Sequence, residues 1–286
     1  MNPITAPGIY DLPLTDYIAD PAPEPSLSAS VAHTLITQSP IHAFARHPRL
    51  NKGVIESGST KMDIGTIVHG LVLEDDESRL VIVEADDWRT KGAKETRDAA
   101  RLAGLVPVLA GDMGMIHEIV AAAKSAIAHS ELADAVTPTA GKAEQTLIWK
   151  EGDIWLRSRP DWLTNDRRLI IDLKTTAGSA EPSAWLRTML GCGNDLQAVL
   201  GLRGIKKLDS QSRCQFVFVV VEQNAPYAVS FVGLDPVFLD MAEHKLNRAI
   251  NLWKDCSTMN VWPGYPSRIA WLTPPAWAYT QEEMLS

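Results

Sequence analysis

The stretch RSRPDWLTNDRRLIIDLKTT, residues 157–176, decides how the rest of this chain is read. Its second half, LIIDLKT, is apolar enough for a central strand, yet it carries an acid and an amine two residues apart. Side chains alternate across a strand, so Asp172 and Lys174 share one face while Ile171 and Leu173 point into the core on the other. Upstream, Pro160-Asp161 ends the preceding strand, and antiparallel pairing across the intervening turn brings Asp161 beside Asp172. Two carboxylates so placed repel unless a cation neutralises them, and hard oxygen donors select Mg²⁺ or Mn²⁺. Lys174, while protonated, is no ligand; it is suited to orient a water, help deprotonate it, or stabilise charge on a phosphoryl group. Such Asp-x-Lys pairs also serve as simple ion pairs on exposed strands, but in a strand this apolar an unemployed charge pair is costly.

Working outward, the hydrophobic period near 2 predicts strands over 144–149, 154–162 and 169–174, joined by the turn clusters Glu151-Gly152-Asp153 and Thr164-Asn165-Asp166. Helices follow over 182–190 and 195–202, then strands over 215–221 and 228–232, and a helix over 236–253. On the N-terminal side, Ser28 or Ser30 caps a short helix that Pro40 closes. Ile64, Ile67, Val68, Leu71 and Val72 form an amphipathic stripe that predicts a helix over 62–74. After an apolar run at 80–83 comes a basic segment that is helical by composition and ends at Gly104 as a glycine cap, then an alanine-rich helix over 113–129. This order predicts an α/β fold with a single mixed central sheet flanked by helices in one domain, residues 27–260. Residues 1–26, with six prolines, read as an extended arm, and 261–286, with Trp262, Trp271 and Trp277, as an irregular strap.

Composition limits the function. With 286 residues, 45% hydrophobic and 22% charged, the chain can bury an ordinary core, and no apolar run reaches membrane-spanning length. Cys192, Cys214 and Cys256 form no CxxC pair, so a four-thiolate metal or iron–sulfur site is not available and a reducing, cytoplasmic setting is expected. A net charge of −8 argues against coating nucleic acid by bulk electrostatics, so a nucleic-acid partner would need a local basic patch. Arg157, Arg159, Arg167, Arg168, Lys174 and Thr175 offer one around the proposed site, and Arg89, Lys91 and Lys94 a second group; both are of the kind that holds phosphates without reading sequence.

Pro160-Asp161 followed by Asp172-Leu173-Lys174 resembles the PD-(D/E)XK nuclease signature. More narrowly, GTIVHG on a helix, a glutamate on the first strand, RPDWL, IIDLKTT and a downstream glutamine helix together resemble the RecE-type exonuclease VIII domain, related to phage lambda exonuclease. The resemblance spans about residues 27–253. It implies that His69, Asp161 and Asp172 hold the metal, that the Leu173 carbonyl completes the shell, and that Lys174 is the catalytic lysine. Gly65, one turn before His69, would leave room for substrate or sheet. Glu144 resembles the family's first-strand glutamate, suited to a second ion or its water. Gln197 resembles the glutamine of a QxxxY helix, although Gly201 stands where that pattern has tyrosine. The implied activity is Mg²⁺-dependent exonucleolytic digestion of linear double-stranded DNA, 5′ to 3′, with one or two ions per site. It leaves 3′ single-stranded tails for a recombinase or single-strand annealing protein, and the family's relatives form homo-oligomeric rings, often encoded by phages. An inactive DNA-binding or assembly module of the same fold, and an endonuclease, are the alternatives.

Overall fold

The computed structural model describes residues 4–51 and 60–275, with backbone alone at 60–63. The chain opens with β1 (Gly8–Asp11), α1 (Leu14–Ile18), β2 (Ser26–Leu27), α2 (Ala29–Thr37), α3 (Pro40–Arg46) and α4 (Thr60–His69), which runs into a π-helical turn, Gly70–Glu74. Then come β3 (Leu80–Val83), α5 (Lys91–Leu102), β4 (Val106–Leu109), α6 (Met113–Ala128), β5 (Gly141–Ala143), β6 (Gln145–Glu151), β7 (Ile154–Ser158) and β8 (Trp162–Thr164). The chain continues through β9 (Leu169–Thr176), α7 (Pro182–Cys192), α8 (Asn194–Leu208), β10 (Gln215–Glu222), β11 (Val229–Gly233) and α9 (Pro236–Met259).

The α/β class is as the sequence implies, but the single sheet is not. A five-stranded mixed sheet, β11-β10-β9-β8-β5, stands beside a four-stranded sheet, β1-β6-β7-β2, with β3 and β4 as a separate parallel pair. The cause lies in one bent hairpin. The strand expected over 154–162 breaks at Arg159–Asp161, and the one expected from 144 starts at Gln145, with β5 as an unexpected strand on the far side of Glu144. Glu144 adopts φ 57° and pairs with neither sheet's ladder, while Pro160 has no N–H to continue one. Each arm of the hairpin therefore leaves the four-stranded sheet and enters the five-stranded one, and the fork between the sheets opens at Glu144 and Asp161.

Alternation along β9 and β10 divides the core. Ile170, Phe216 and Phe218 pack with Trp149 and Leu156 of the four-stranded sheet and with α8 and α9 on one side, while Ile171, Leu173 and Val219 pack with α4 and α6 on the other. Gly204 allows the close approach of α8 to the four-stranded sheet, because a Cβ there would lie 2.7 Å from the Trp149 ring. The predicted helix over 62–74 is α only to His69, and α5 ends as expected, with Gly104 at φ 72° donating to the Arg101 carbonyl. Trp262 packs on Phe44 and Trp253 as a strap would, whereas Trp271 is exposed and Trp277 lies outside the described residues.

The proline-rich segment is not a free arm. Its β1 runs antiparallel to β6, Gly8 opposite Ile148, and β2 runs parallel to β7. Between them Asp20, at φ 63°, is fully buried and accepts from Ser26 N (2.8 Å) and Ser26 Oγ (2.6 Å), with His47 Nε2 at 3.3 Å and Arg157 Nη1 at 3.2 Å. Burial alone would raise its pKa, but His47, Arg157 and Ser26 together hold the carboxyl below its ordinary value. A carboxyl so depressed stabilises the fold above pH ~4, and that contribution is lost as pH falls through the native value. Asp20→Ala leaves a buried guanidinium without its counter-charge, so chemical denaturation at pH 7 should show a loss of about 3–5 kcal/mol, and the difference from the native protein should shrink toward pH 3.

Candidate active site

The site grows out of the fork. The β8–β9 register, Trp162 opposite Ile171 and Leu163 opposite Ile170, continues by one residue to set Asp161 opposite Asp172. Here the ladder gives way, and Leu173 N–H donates to Asp161 Oδ2 at 2.7 Å. On the other side Glu144 N–H donates to the Asp161 carbonyl at 2.9 Å, which lines up Glu144, Asp161 and Asp172 across three neighbouring chains. α4 crosses this row and ends on His69, whose Nδ1 lies 3.3 Å from Asp161 Oδ2 and whose Nε2 contacts the Leu173 carbonyl.

One ligand atom each from His69, Glu144 and Asp161 lie within 4.8 Å of one another. Asp172 stands outside that trio; its carboxylate is fully buried, bound by Lys174 Nζ on Oδ1 and by Gln197 Nε2, from α8, on Oδ2. Arg159 holds Glu144, its Nε 2.5 Å from Oε2, and spends its Nη1 on the Leu12 carbonyl (2.7 Å) and Thr146 Oγ1 (2.9 Å). The π-helical turn after His69 places Glu74 on the same cleft, a cavity of about 470 Å³ that also reaches Leu14, Tyr17 and Thr175. Such turns recur at functional sites.

Burial dominates the electrostatics. It pushes the Asp161 carboxyl up to about 7 against the pull of Lys174, with Glu144 adding to the rise. It pushes Asp172 up to about 6, where the neighbouring Asp161 adds to the rise and Lys174 opposes it. The same burial, with Lys174 nearby, lowers His69. Lys174 is itself penalised by burial, but Asp172 and Asp161 outweigh that and raise its pKa. The donor set is two or three carboxylates, one neutral imidazole and a backbone carbonyl. Such donors suit a hard divalent ion, whose charge would replace the protons these acids otherwise retain.

The structure brings together His69, Glu144, Asp161, Asp172, Leu173, Lys174 and Gln197. Gly65 lines the cleft and faces Thr175, where a Cβ would meet Oγ1 at an ordinary 3.6 Å, so contact with the sheet alone does not require its missing side chain. The basic group is scattered. Arg157 is buried, held by Ser26 and Asp20, and Arg159 is committed to Glu144; neither is free to meet phosphate. Arg167, at φ 59°, pairs with Asp209 at 3.6 Å, and Arg168 lies about 20 Å along the strand from Lys174 at ~3.3 Å per residue. Arg89, Lys91 and Lys94 are exposed at the start of α5; Lys91 pairs with Glu95, and none of the three lines the cleft. Thr175 lines the cleft and accepts from Gln223 Nε2 at 3.0 Å. Sequence reading missed Tyr17, Leu14 and Glu74; only Glu74 left a trace, as an acid just beyond the amphipathic stripe that carries His69.

Residues 28–273 match the family described as a PDDEXK-like domain of unknown function (DUF3799). The chain belongs to that family. The matched range includes Asp161, Asp172 and Lys174, the acids and lysine gathered at the fork. The fold is also similar to the crystal structure of a provisionally assigned exonuclease from Eubacterium rectale, with a TM-score of 0.58 and 12% identity, covering 95% of this chain and 98% of that one. No curated protein matches the chain. Among the described residues no helix is long and apolar enough to cross a membrane.

Proposed function

We propose that this protein is a Mg²⁺-dependent exodeoxyribonuclease, with Mn²⁺ able to substitute, that degrades linear double-stranded DNA from its ends. The observation that carries the reading is the convergence of His69, Glu144 and Asp161 from three separate elements, with Lys174 and Gln197 held against Asp172 alongside. His69, Asp161 and the Leu173 carbonyl would hold the ion, with Asp172 and Glu144 as the adjoining acids. When bound, the ion would supply charge to polarise the scissile phosphate and to acidify a water. Lys174 keeps its proton through its acidic neighbours and stabilises charge as the phosphodiester is attacked. Gln197 fixes the second oxygen of Asp172, and Arg159 fixes Glu144, so neither carboxylate has to reorganise.

Polarity from 5′ to 3′, release of a 3′ single-stranded tail, delivery to a recombinase or single-strand annealing protein, a homo-oligomeric ring and a cytoplasmic setting are the finer parts of the proposal; they rest on the RecE-type resemblance. Incubation with linear and covalently closed circular plasmid tests the core of it. Nucleotide release is expected from the linear form alone, with Mg²⁺ and not with EDTA. Loss of the closed circle would indicate an endonuclease, and binding without release under either ion would indicate an inactive module. Early loss of label from a 5′-labelled end supports the polarity; 3′ shortening with the label kept would reverse it.

A further inference from the structure

Tyr17 lies where two cavities meet. It lines the cleft that holds His69, Asp161 and Lys174, and it also lines a neighbouring cavity of about 420 Å³ that reaches Gln197 from the other side. Arg159 is the other side chain shared by the two. The Tyr17 ring is backed by charge: the guanidinium carbons of Arg157 and Arg159 lie 5.5 and 5.8 Å from its centroid. Those arginines are two apart in sequence, so both approach from the β7 side. Both are fixed by other bonds, Arg157 to Ser26 and Arg159 to Glu144 and the Leu12 carbonyl. The ring is therefore held by a fixed pair of cations and borders both cavities. Its helix, α1, buries none of its residues fully, and Tyr17 is half-buried, with burial pushing its phenol up from the ordinary value.

We infer that Tyr17 is a stacking residue for the nucleobase of the strand held at the cleft, and that it fixes how far the strand enters. The class of ligand rests on the nuclease reading above; the ring's placement does not. Every base has a π face, and guanidiniums behind the ring hold it in place, so the contact would be strong and indifferent to sequence.

The test is a short duplex with 2-aminopurine at its terminal position, bound in Ca²⁺ without turnover. The probe should be quenched by the native protein and by Tyr17→Phe. In Tyr17→Ala, folded by circular dichroism, quenching should be lost and the dissociation constant should rise by about tenfold. Equal quenching and affinity in Tyr17→Ala, or no quenching by the native protein, would overturn the inference. If quenching depends on Tyr17 while no nucleotide is released with Mg²⁺ or Mn²⁺, the catalytic reading fails and the stacking role stands.

Discussion

Lys174→Ala is expected to lower Mg²⁺-dependent release of nucleotides from linear duplex DNA by about 10³-fold or more, with the protein still folded. Two effects of the substitution add. The ammonium that would meet charge on the phosphoryl group is gone. Asp172 also loses the cation on its Oδ1 while still buried and still opposite Asp161, so its carboxyl, already near 6, moves further up and is protonated at neutral pH. A protonated Asp172 no longer adds its charge to the site, so apparent affinity for the ion should fall together with the rate. Lys174→Arg should not restore activity, because a planar fork does not fit a space shaped by one ammonium against one oxygen. Asp172→Asn makes the complementary case: it keeps the shape and relieves repulsion from Asp161, but its single acceptor oxygen cannot serve both Lys174 and Gln197, so it should stay folded without a gain in thermal stability while losing cleavage. Acid-soluble nucleotide release, read with denaturation midpoints, decides it. A folded Lys174→Ala protein within tenfold of native activity removes this mechanism.

Local pattern carried the centre of the site but not its surroundings. The strand over 169–174 and its pairing with the Pro-Asp segment were legible because strand period and turn spacing are local properties, and β9 differs only by two further residues. The fork was not legible, since it depends on a left-handed Glu144 that no composition signal marks. β1 was missed for a different reason: its partner, β6, lies more than 130 residues away, and four residues beside prolines hold no periodicity of their own. The arginines show the limit most plainly. Arg157 and Arg159 read as a phosphate-binding surface because charge in sequence does not report burial, and the acids that engage them come from elsewhere, Asp20 from the N-terminal segment and Glu144 from the paired arm of the hairpin.

Those same buried acids fix the second large effect, on stability rather than rate. Asp161 and Asp172 titrate near 7 and 6 in the native protein, both far above an ordinary carboxyl. A raised native value means that the folded state binds the proton more tightly, so the stability linked to these groups is fully present below about pH 4 and is lost as pH rises through 6 to 7. With no divalent ion, the coupled pair should contribute on the order of 3 kcal/mol more stability at pH 5.5 than at pH 8, opposed in part by His69, whose lowered native value favours the folded state at the higher pH. A divalent ion reverses the sign. It binds the deprotonated acids and neutral His69, so binding releases protons and tightens with pH. Stabilisation by Mn²⁺ should be slight at pH 5.5, pronounced at pH 8, and absent at both in Asp161→Asn, which should also show the weaker pH dependence without the ion. Melting curves of the native protein and Asp161→Asn, taken at both pH values with EDTA or Mn²⁺, isolate the contribution of the coupled pair, because titrating groups remote from the fork cancel in the difference. Equal Mn²⁺ stabilisation at the two pH values, or its persistence in Asp161→Asn, would mean that the acids at the fork do not exchange protons for a cation.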